Sequence, residues 1–420
     1  MAGKETIPMR AEVFIEAKPA EVWPLISNTS RMNHSIGLPA VKQTASDGFE
    51  KKVETRLFGI RLAWRERPFE WVQDRFYRVT REFESGPIAR FEGGMTLEPD
   101  GEGCRVIIDS NFTPRNALGT FLIKHARGKQ ALAQTEAMVR RFAVACKGGC
   151  EAFPAARTKT PADAGALVRA AQKLHGSSAD KDIAKLLVHH LEHGYDDELA
   201  RMRPFDLADR WGKDRVAVLV ACLHAVKAGL LDLEWNILCP NCLGATERLE
   251  RLAALKREAH CAGCGIEYGC SFDDSVELRF TTSPIVRAAQ PHTFCVGNPS
   301  QAPFAVAQLT AGRAAPREAV VPLGARSYLV RELCCKKKVS LRPSADGPSR
   351  VEVDFSKLDD GAELKFKPGE VTLAVAPRAE HSFVRVERQD WKDGAARASL
   401  VMTLQGFRDL FSSDVLAPGL

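Results

Sequence analysis

No long apolar run interrupts this 420-residue sequence. Its longest apolar stretch, Val216 to Val226, is about half the length that a bilayer span needs, so no membrane-crossing helix is expected. Met1 to Arg10 holds no apolar core of the kind a secretory signal carries, so export is not expected either. A strong excess of one charge is also missing. The 59 Lys+Arg against 53 Asp+Glu leave a formal net charge of +6, too mild over this length to call for nucleic acid or a membrane surface as partner. Gly93-Gly94 and Gly148-Gly149 are isolated doublets and match no P-loop or dinucleotide fingerprint. There is no Gly-x-Ser-x-Gly element and no other nucleophile with an identifiable base, which removes the usual signatures of covalent hydrolases. Internal repeats and low-complexity tracts are absent, which excludes solenoid architectures.

What is present fits a cytoplasmic multidomain α+β protein. An apolar content of 45% and a charged content of 27% are ordinary for a globular chain, and the length suits about three or four domains at about 100–200 residues each. Ala11, Val13 and Ile15 alternate with Glu12, Phe14 and Glu16, as in a strand. Pro19 opens a helix bearing Val22, Trp23, Leu25 and Ile26, and a shorter helical piece follows near Ser30–His34. Strands are expected at 51–58, 61–67, 70–82, 87–97 and 103–113, with Gly59, Pro68, Ser85-Gly86 and Pro99-Asp100-Gly101 as breaks. Asn116 to Cys146 is expected as one long helix. A sheet curved around a helix leaves an apolar space between them, a natural pocket for a small hydrophobic ligand. This order of elements, with the segment Ala11–Ser27, resembles the START-like, polyketide-cyclase type helix-grip superfamily over residues 1–150. Carboxylates such as Glu66 or Glu70 could do acid–base work in that pocket, though nothing in the sequence prefers them.

Residues 151–163 have linker composition. Residues 164–235 read as a winged-helix-like helical module: periodic helices, then Asp206–Trp211 and Arg215–Ala228 joined by Gly212-Lys213-Asp214, with Gly229 as the helix stop and a strand after it. The second helix of that pair is apolar on every side, so it is expected to be buried on every side, and a packing or dimerisation role is favoured over DNA reading. His189, His190 and His193 share a helix with the apolar stripe Ile183, Leu186, Leu187 and Leu191, so they are taken as solvated or capping groups. A zinc ribbon is expected at 236–270. Cys239 and Cys242, then Cys261 and Cys264, form two Cys-x-x-Cys knuckles with eighteen residues between them. Twelve cysteines without an export signal point to a reducing compartment, where such pairs bind metal more often than they form disulfides. Four thiolates complete a closed tetrahedron for one structural Zn2+, with no open position for catalysis; His260 and Cys270 are not needed as ligands.

From Ser271 to Met402 short alternating strands with Gly and Pro turns suggest an antiparallel β-sandwich or barrel. Residues 403–420 carry Leu404, Phe407, Leu410 and Phe411 on one helical face. The runs Ser271–Phe280, Phe294–Pro299, Ala305–Gln308 and Gln405–Gly419 resemble the regulatory region upstream of the catalytic domain in a group of bacterial class III adenylate/guanylate cyclases. That resemblance implies a START-like domain, a winged-helix and zinc-ribbon region, a β domain and a C-terminal coupling helix. In those proteins the tail leads into the cyclase domain, whereas this sequence stops at Leu420, so no catalytic residue carries over. The resemblance therefore implies a non-catalytic, ligand-sensing regulatory chain, with a homodimer or a cyclase as partner. An enzyme acting in the N-terminal pocket and a DNA-binding regulator are the alternatives, and a tail helix docked on the β domain is the alternative to a coupling helix.

Overall fold

A computed structural model describes the chain except for residues 1–5, 48–49, 58, 126, 154–158, 240–244, 262–265, 271–274, 291, 313–314, 334–336, 379–381, 390–393 and 412–420. Two compact units divide it, one of residues 1–156 with 293–389, the other of residues 157–262, 266–292 and 390–420.

The alternation at the start of the chain forms β1 (Ile7–Ile15), which buries Val13 and Ile15 and exposes Phe14. α1 (Pro19–Ile26) starts on its proline, and the Glu21 carboxylate accepts from the Lys18 N–H at 2.8 Å. α2 (Thr29–Ser35) is capped by Asn28, whose side chain accepts from the Arg31 N–H. Then come β2 (Lys42–Asp47), β3 (Glu50–Leu57), β4 (Ile60–Glu66), β5 (Glu70–Val72), β6 (Phe76–Phe83), β7 (Ile88–Asp100) and β8 (Gly103–Pro114). They form an antiparallel sheet in the order β2-β3-β4-β6-β7-β8-β1. The strand expected over 70–82 divides because Asp74 adopts φ +60° in the turn between β5 and β6. Two helices, α3 (Ala117–His125) and α4 (Arg127–Cys146), occupy the range expected as one. Met138, Val139 and Phe142 of α4 pack with Val13, Ile15, Val106 and Ile108 in the core that the sheet encloses.

The second unit begins with α5 (Ala164–His175), α6 (Lys181–His193), α7 (Asp196–Leu199), α8 (Pro204–Trp211) and α9 (Arg215–Ala228). Gly212 takes φ +61° between α8 and α9, Asp214 caps α9 through the Ala217 N–H, and Gly229 ends it at φ +86°. α9 is buried at Val218, Leu219, Ala221, Cys222, Leu223 and Ala225, but Val216 is exposed and Val220 and Val226 are half-buried, so the expected burial on every side holds only in part. β9 (Leu231–Leu238), β10 (Ala245–Leu249), β11 (Glu258–Cys261), β12 (Ile266–Gly269) and β13 (Val276–Thr282) follow. β9 is the centre of a three-stranded antiparallel sheet, β10-β9-β13, and β11 pairs with β12. β13, which the sequence pattern placed in the β-rich region, instead pairs with β9, Leu278 opposite Trp235 and Phe280 opposite Leu233.

Two short helices near the C-terminus, α10 (Ala398–Thr403) and α11 (Gln405–Leu410), also belong to the second unit. Phe407 is buried with its ring 5.9 Å from that of Trp235 in an edge arrangement, Phe411 stacks on Phe407, and the Lys227 ammonium lies 4.3 Å from the Phe411 centroid. The alternative of a tail docked on the β domain is thereby corrected: its apolar face packs on α9 and β9.

The chain returns to the first unit at Thr293. β14 (Ala305–Thr310) pairs with β5, Gln308 opposite Trp71 and Ala307 opposite Val72. The sheet thus continues through β14, after which come β15 (Arg317–Leu323), β16 (Tyr328–Glu332), β17 (Lys338–Pro343), β18 (Arg350–Val353), β19 (Glu363–Phe366), β20 (Gly369–Val375) and β21 (Phe383–Arg388). β21, β16, β17 and β19 prolong it to 13 strands, while β15-β20-β18 form a second sheet across a core of Val330, Leu341, Phe355, Phe366, Leu373 and Val386. The expectation of purely antiparallel pairing needs correction, since β17 with β19 and β18 with β20 are parallel. The chain changes sheet at each step from β17 to β20, so strands two apart in sequence lie side by side in the same direction.

Candidate functional site

The bent sheet and α4 leave between them a cavity of about 260 Å³. Its wall is mostly apolar, with Met32, Phe69, Val79, Met95, Ile108 and Leu132 among the lining side chains. Gly94 also lines it, and a Cβ there would lie 2.1 Å from the Tyr77 carbonyl oxygen. The glycine doublet is therefore a close-packing device of β7 rather than a phosphate loop.

One corner is polar. Tyr77, Val79, Arg81 and Phe83 alternate inward from β6, which brings the Arg81 guanidinium to the cavity. Glu66, at the end of β4 and only 2% exposed, accepts from Arg81 Nε at 3.0 Å and from the Trp64 indole N–H at 2.9 Å. The guanidinium carbon also lies 5.8 Å from the Trp64 ring centroid and 5.6 Å from that of Phe91. Burial acts most strongly, to lower the Arg81 pKa, but the Glu66 charge, Cys295 and their hydrogen bonds together outweigh it, so the net direction is upward and the group stays cationic. Burial raises the Tyr77 phenol well above its ordinary value and keeps it neutral.

A third member of this corner comes from far along the chain. Cys295 Sγ accepts from Arg81 Nη2 at 3.6 Å and donates to Glu66 Oε1 at 3.7 Å. Burial, reinforced by Glu66, pushes its thiol up to about 12, so it is a neutral S–H. The neighbouring residues fix it in place. The Phe294 N–H donates to Ser30 Oγ at 3.1 Å, Asn33 Nδ2 donates to the Phe294 carbonyl at 3.0 Å, and the Phe294 and His34 rings stack 3.9 Å apart. The Val41 N–H donates to the Thr293 carbonyl at 2.7 Å. Residues 293–295 are thus a strap over α2, and Cys295, Ala302 and Ala305 join the core of the N-terminal region.

Of the two carboxylates singled out in the sequence, Glu66 is at this corner. Glu70 is not; it accepts from the Thr310 N–H at 2.7 Å and braces β5 against β14. Arg81 carries a signal visible in the sequence, a cation at an inward position of a period-two strand. Cys295 carries none, because only tertiary structure brings it to β6.

β9 pairs with β10 up to Leu238 opposite Ala245, and Cys239 directly follows β9; β11 pairs with β12 up to Cys261 opposite Ile266, and Cys261 is the last residue of β11. Cys239 and Cys261 are both buried, and Cys242 and Cys264 lie outside the described residues. Two buried thiols at strand ends, each separated by two residues in sequence from a second cysteine, are the donor chemistry that a tetrahedral thiolate site requires. Among the described residues no group of three or more His, Cys, Asp or Glu could hold a metal ion. His260 is directed to Glu267 at 3.0 Å and Cys270 is partly buried. His190 packs edge-on to Trp211, with its pKa lowered first by burial, as a packing residue would be.

This architecture, a curved antiparallel sheet gripping a C-terminal helix over an apolar cavity, defines the N-terminal region as a polyketide-cyclase/START-like (Bet v1-like) domain. Residues 6–143 match the model of the polyketide cyclase / dehydrase and lipid transport family, and residues 167–303 match a family of unknown function (DUF5939). Among solved structures, TTHA0849 from Thermus thermophilus is 19% identical, with 34% of this chain and 100% of that one covered and a TM-score of 0.27. The Zhui aromatase/cyclase from Streptomyces sp. R1128 is 16% identical, covering 36% and 94%, with a TM-score of 0.23. Truncated norcoclaurine synthase from Thalictrum flavum is 11% identical, covering 34% and 96%, with a TM-score of 0.26. No curated protein is similar to the chain. No helix among the described residues is long and apolar enough to cross a membrane.

Proposed function

We propose that this chain is a non-catalytic ligand sensor: the START-like cavity holds a small apolar molecule and the remainder of the chain relays its presence. The observation that carries this reading is the mostly apolar cavity itself, with Arg81 as its one charged lining side chain among the described residues. An enzyme in the same cavity is less well supported, because the Glu66 carboxylate is already engaged by Arg81, Trp64 and Cys295.

The second unit is read as a winged-helix-like module. Met202 bridges Phe280 just before α8, and α8, the glycine turn, α9, β9 and β13 then follow in the order such a module requires. The ribbon with its structural Zn2+ would be an insertion between β9 and β13. DNA reading is disfavoured by the burial of α9. The relay has a physical candidate in Asp196, which ties the segment that follows residue 156 to the segment that precedes residue 293. Asp196 accepts from the Thr160 N–H at 3.0 Å, Thr160 Oγ1 at 2.6 Å and Arg287 Nη2 at 2.8 Å, and the Asp163 N–H donates to the Val286 carbonyl. Resemblance of residues 271–310 and 405–419 to cyclase regulatory regions supports cyclic-nucleotide signalling as the setting, with a second copy or a cyclase as partner.

Purified without added ligand, the chain is expected to show in native mass spectrometry a bound mass that a denaturing solvent extract identifies as one apolar compound per chain. Turnover of that compound by the purified protein would establish the enzyme reading instead.

A further inference from the structure

Arg81 is the one side chain charged at neutral pH among the described residues lining the cavity, and its charge is already matched. Glu66 takes its Nε, the Cys295 sulfur takes Nη2, and Nη1 makes no hydrogen bond to any described residue. From this geometry we infer that the cavity selects neutral, largely apolar molecules bearing a hydrogen-bond acceptor such as a ketone or alcohol oxygen, and rejects carboxylates and sulfonates. The inference rests on the ligand-binding reading above and adds the chemical class to it.

Charge accounting at the corner gives the reason. Glu66 and Arg81 cancel, while Cys295 and Tyr77 are neutral, so the corner carries no net charge and Arg81 Nη1 is left there as a donor, beside the neutral polar side chains of Thr29, Asn33, Ser110 and Thr135 on the wall. A neutral acceptor needs only that N–H. An anion would share the cation with Glu66 and bring a second negative charge into a poorly solvated corner with no further cation on the wall among the described residues. Cys295 is the positioning residue of this arrangement. It braces both partners without adding charge, and it belongs to the strap at 293–295 rather than to the helix-grip strands.

The test compares two fluorescent probes of one shape, anilinonaphthalene sulfonate and its neutral sulfonamide, titrated into the full chain at neutral pH. The neutral probe is expected to bind the wild type at least ~10-fold more tightly, the scale of one uncompensated charge. In Glu66→Gln the cation is unmatched, and the preference is expected to move at least ~10-fold toward the sulfonate; a purely structural role for Glu66 would weaken both probes alike. Equal binding of the two probes by the wild type would overturn the inference without any variant, so it stays testable even where Glu66→Gln does not fold. An unchanged ratio in a folded Glu66→Gln would also overturn it, while leaving the cavity reading intact. Binding of neither probe to the wild type would overturn the cavity reading as well.

Discussion

Asp196→Ala is expected to lower the stability of the second unit by about 3–5 kcal/mol, the usual cost of breaking a buried ion pair from one side. The Arg287 side chain is fully buried and Asp196 nearly so. The substitution leaves the guanidinium with only the carbonyls of Leu191 and Glu192 as acceptors. Two Thr160 donors lose their partner in the same step, so the cost exceeds that of a surface pair. The effect carries a pH signature. Burial alone would raise the Asp196 pKa, but hydrogen bonds from Thr160 and the Arg287 charge outweigh it, and the net shift is downward. A carboxyl whose folded pKa lies below its unfolded value of about 3.9 stabilises the fold above that value and loses the contribution as pH falls through the folded pKa. Urea melts of wild type and Asp196→Asn should therefore differ at neutral pH and converge in acid. A difference under about 1 kcal/mol at neutral pH would mean the pair is a bystander.

Removal of zinc is expected to unfold the ribbon. Structural zinc sites contribute apparent binding free energies of about 10–16 kcal/mol at neutral pH, more than hairpins as short as β9–β10 and β11–β12 can replace. Elemental analysis should find one zinc per chain, lost in Cys239→Ser or Cys261→Ser. Because thiolates must be deprotonated to bind, the metal should also be released by mild acid. The proposed ribbon follows β9, which carries Trp235 opposite Leu278 of β13, so chelation should change the near-ultraviolet signal of that buried indole. A chain that is fully reduced, metal-free and unaltered by a chelator would remove the zinc site from the description.

Much of the N-terminal fold was legible because its signals are local. Period-two strands, the Pro19 helix start and the amphipathic C-terminal helix are each set by neighbouring residues. The burial of most of α9 was legible for the same reason. Long-range pairing was not: β13 is strand-like wherever it pairs, and its choice of β9 depends on a partner some forty residues earlier. The parallel pairs β17–β19 and β18–β20 were missed because strand alternation says nothing about which sheet the next strand enters. At the candidate site, Glu66 was visible only as one carboxylate among several, and Arg81 could have been noticed from its inward position. Cys295 could not, since the strap reaches the cavity by tertiary structure alone.

Ligand binding in the START-like cavity is tested most directly by filling it. Ala131 of α4 lines the cavity, and Ala131→Trp puts an indole where the ligand is expected. The neutral sulfonamide probe should bind the wild type at one site per chain and bind Ala131→Trp at least ~10-fold more weakly, with the melting transition retained. Equal binding by the folded variant, or no binding by the wild type, would contradict the sensor reading.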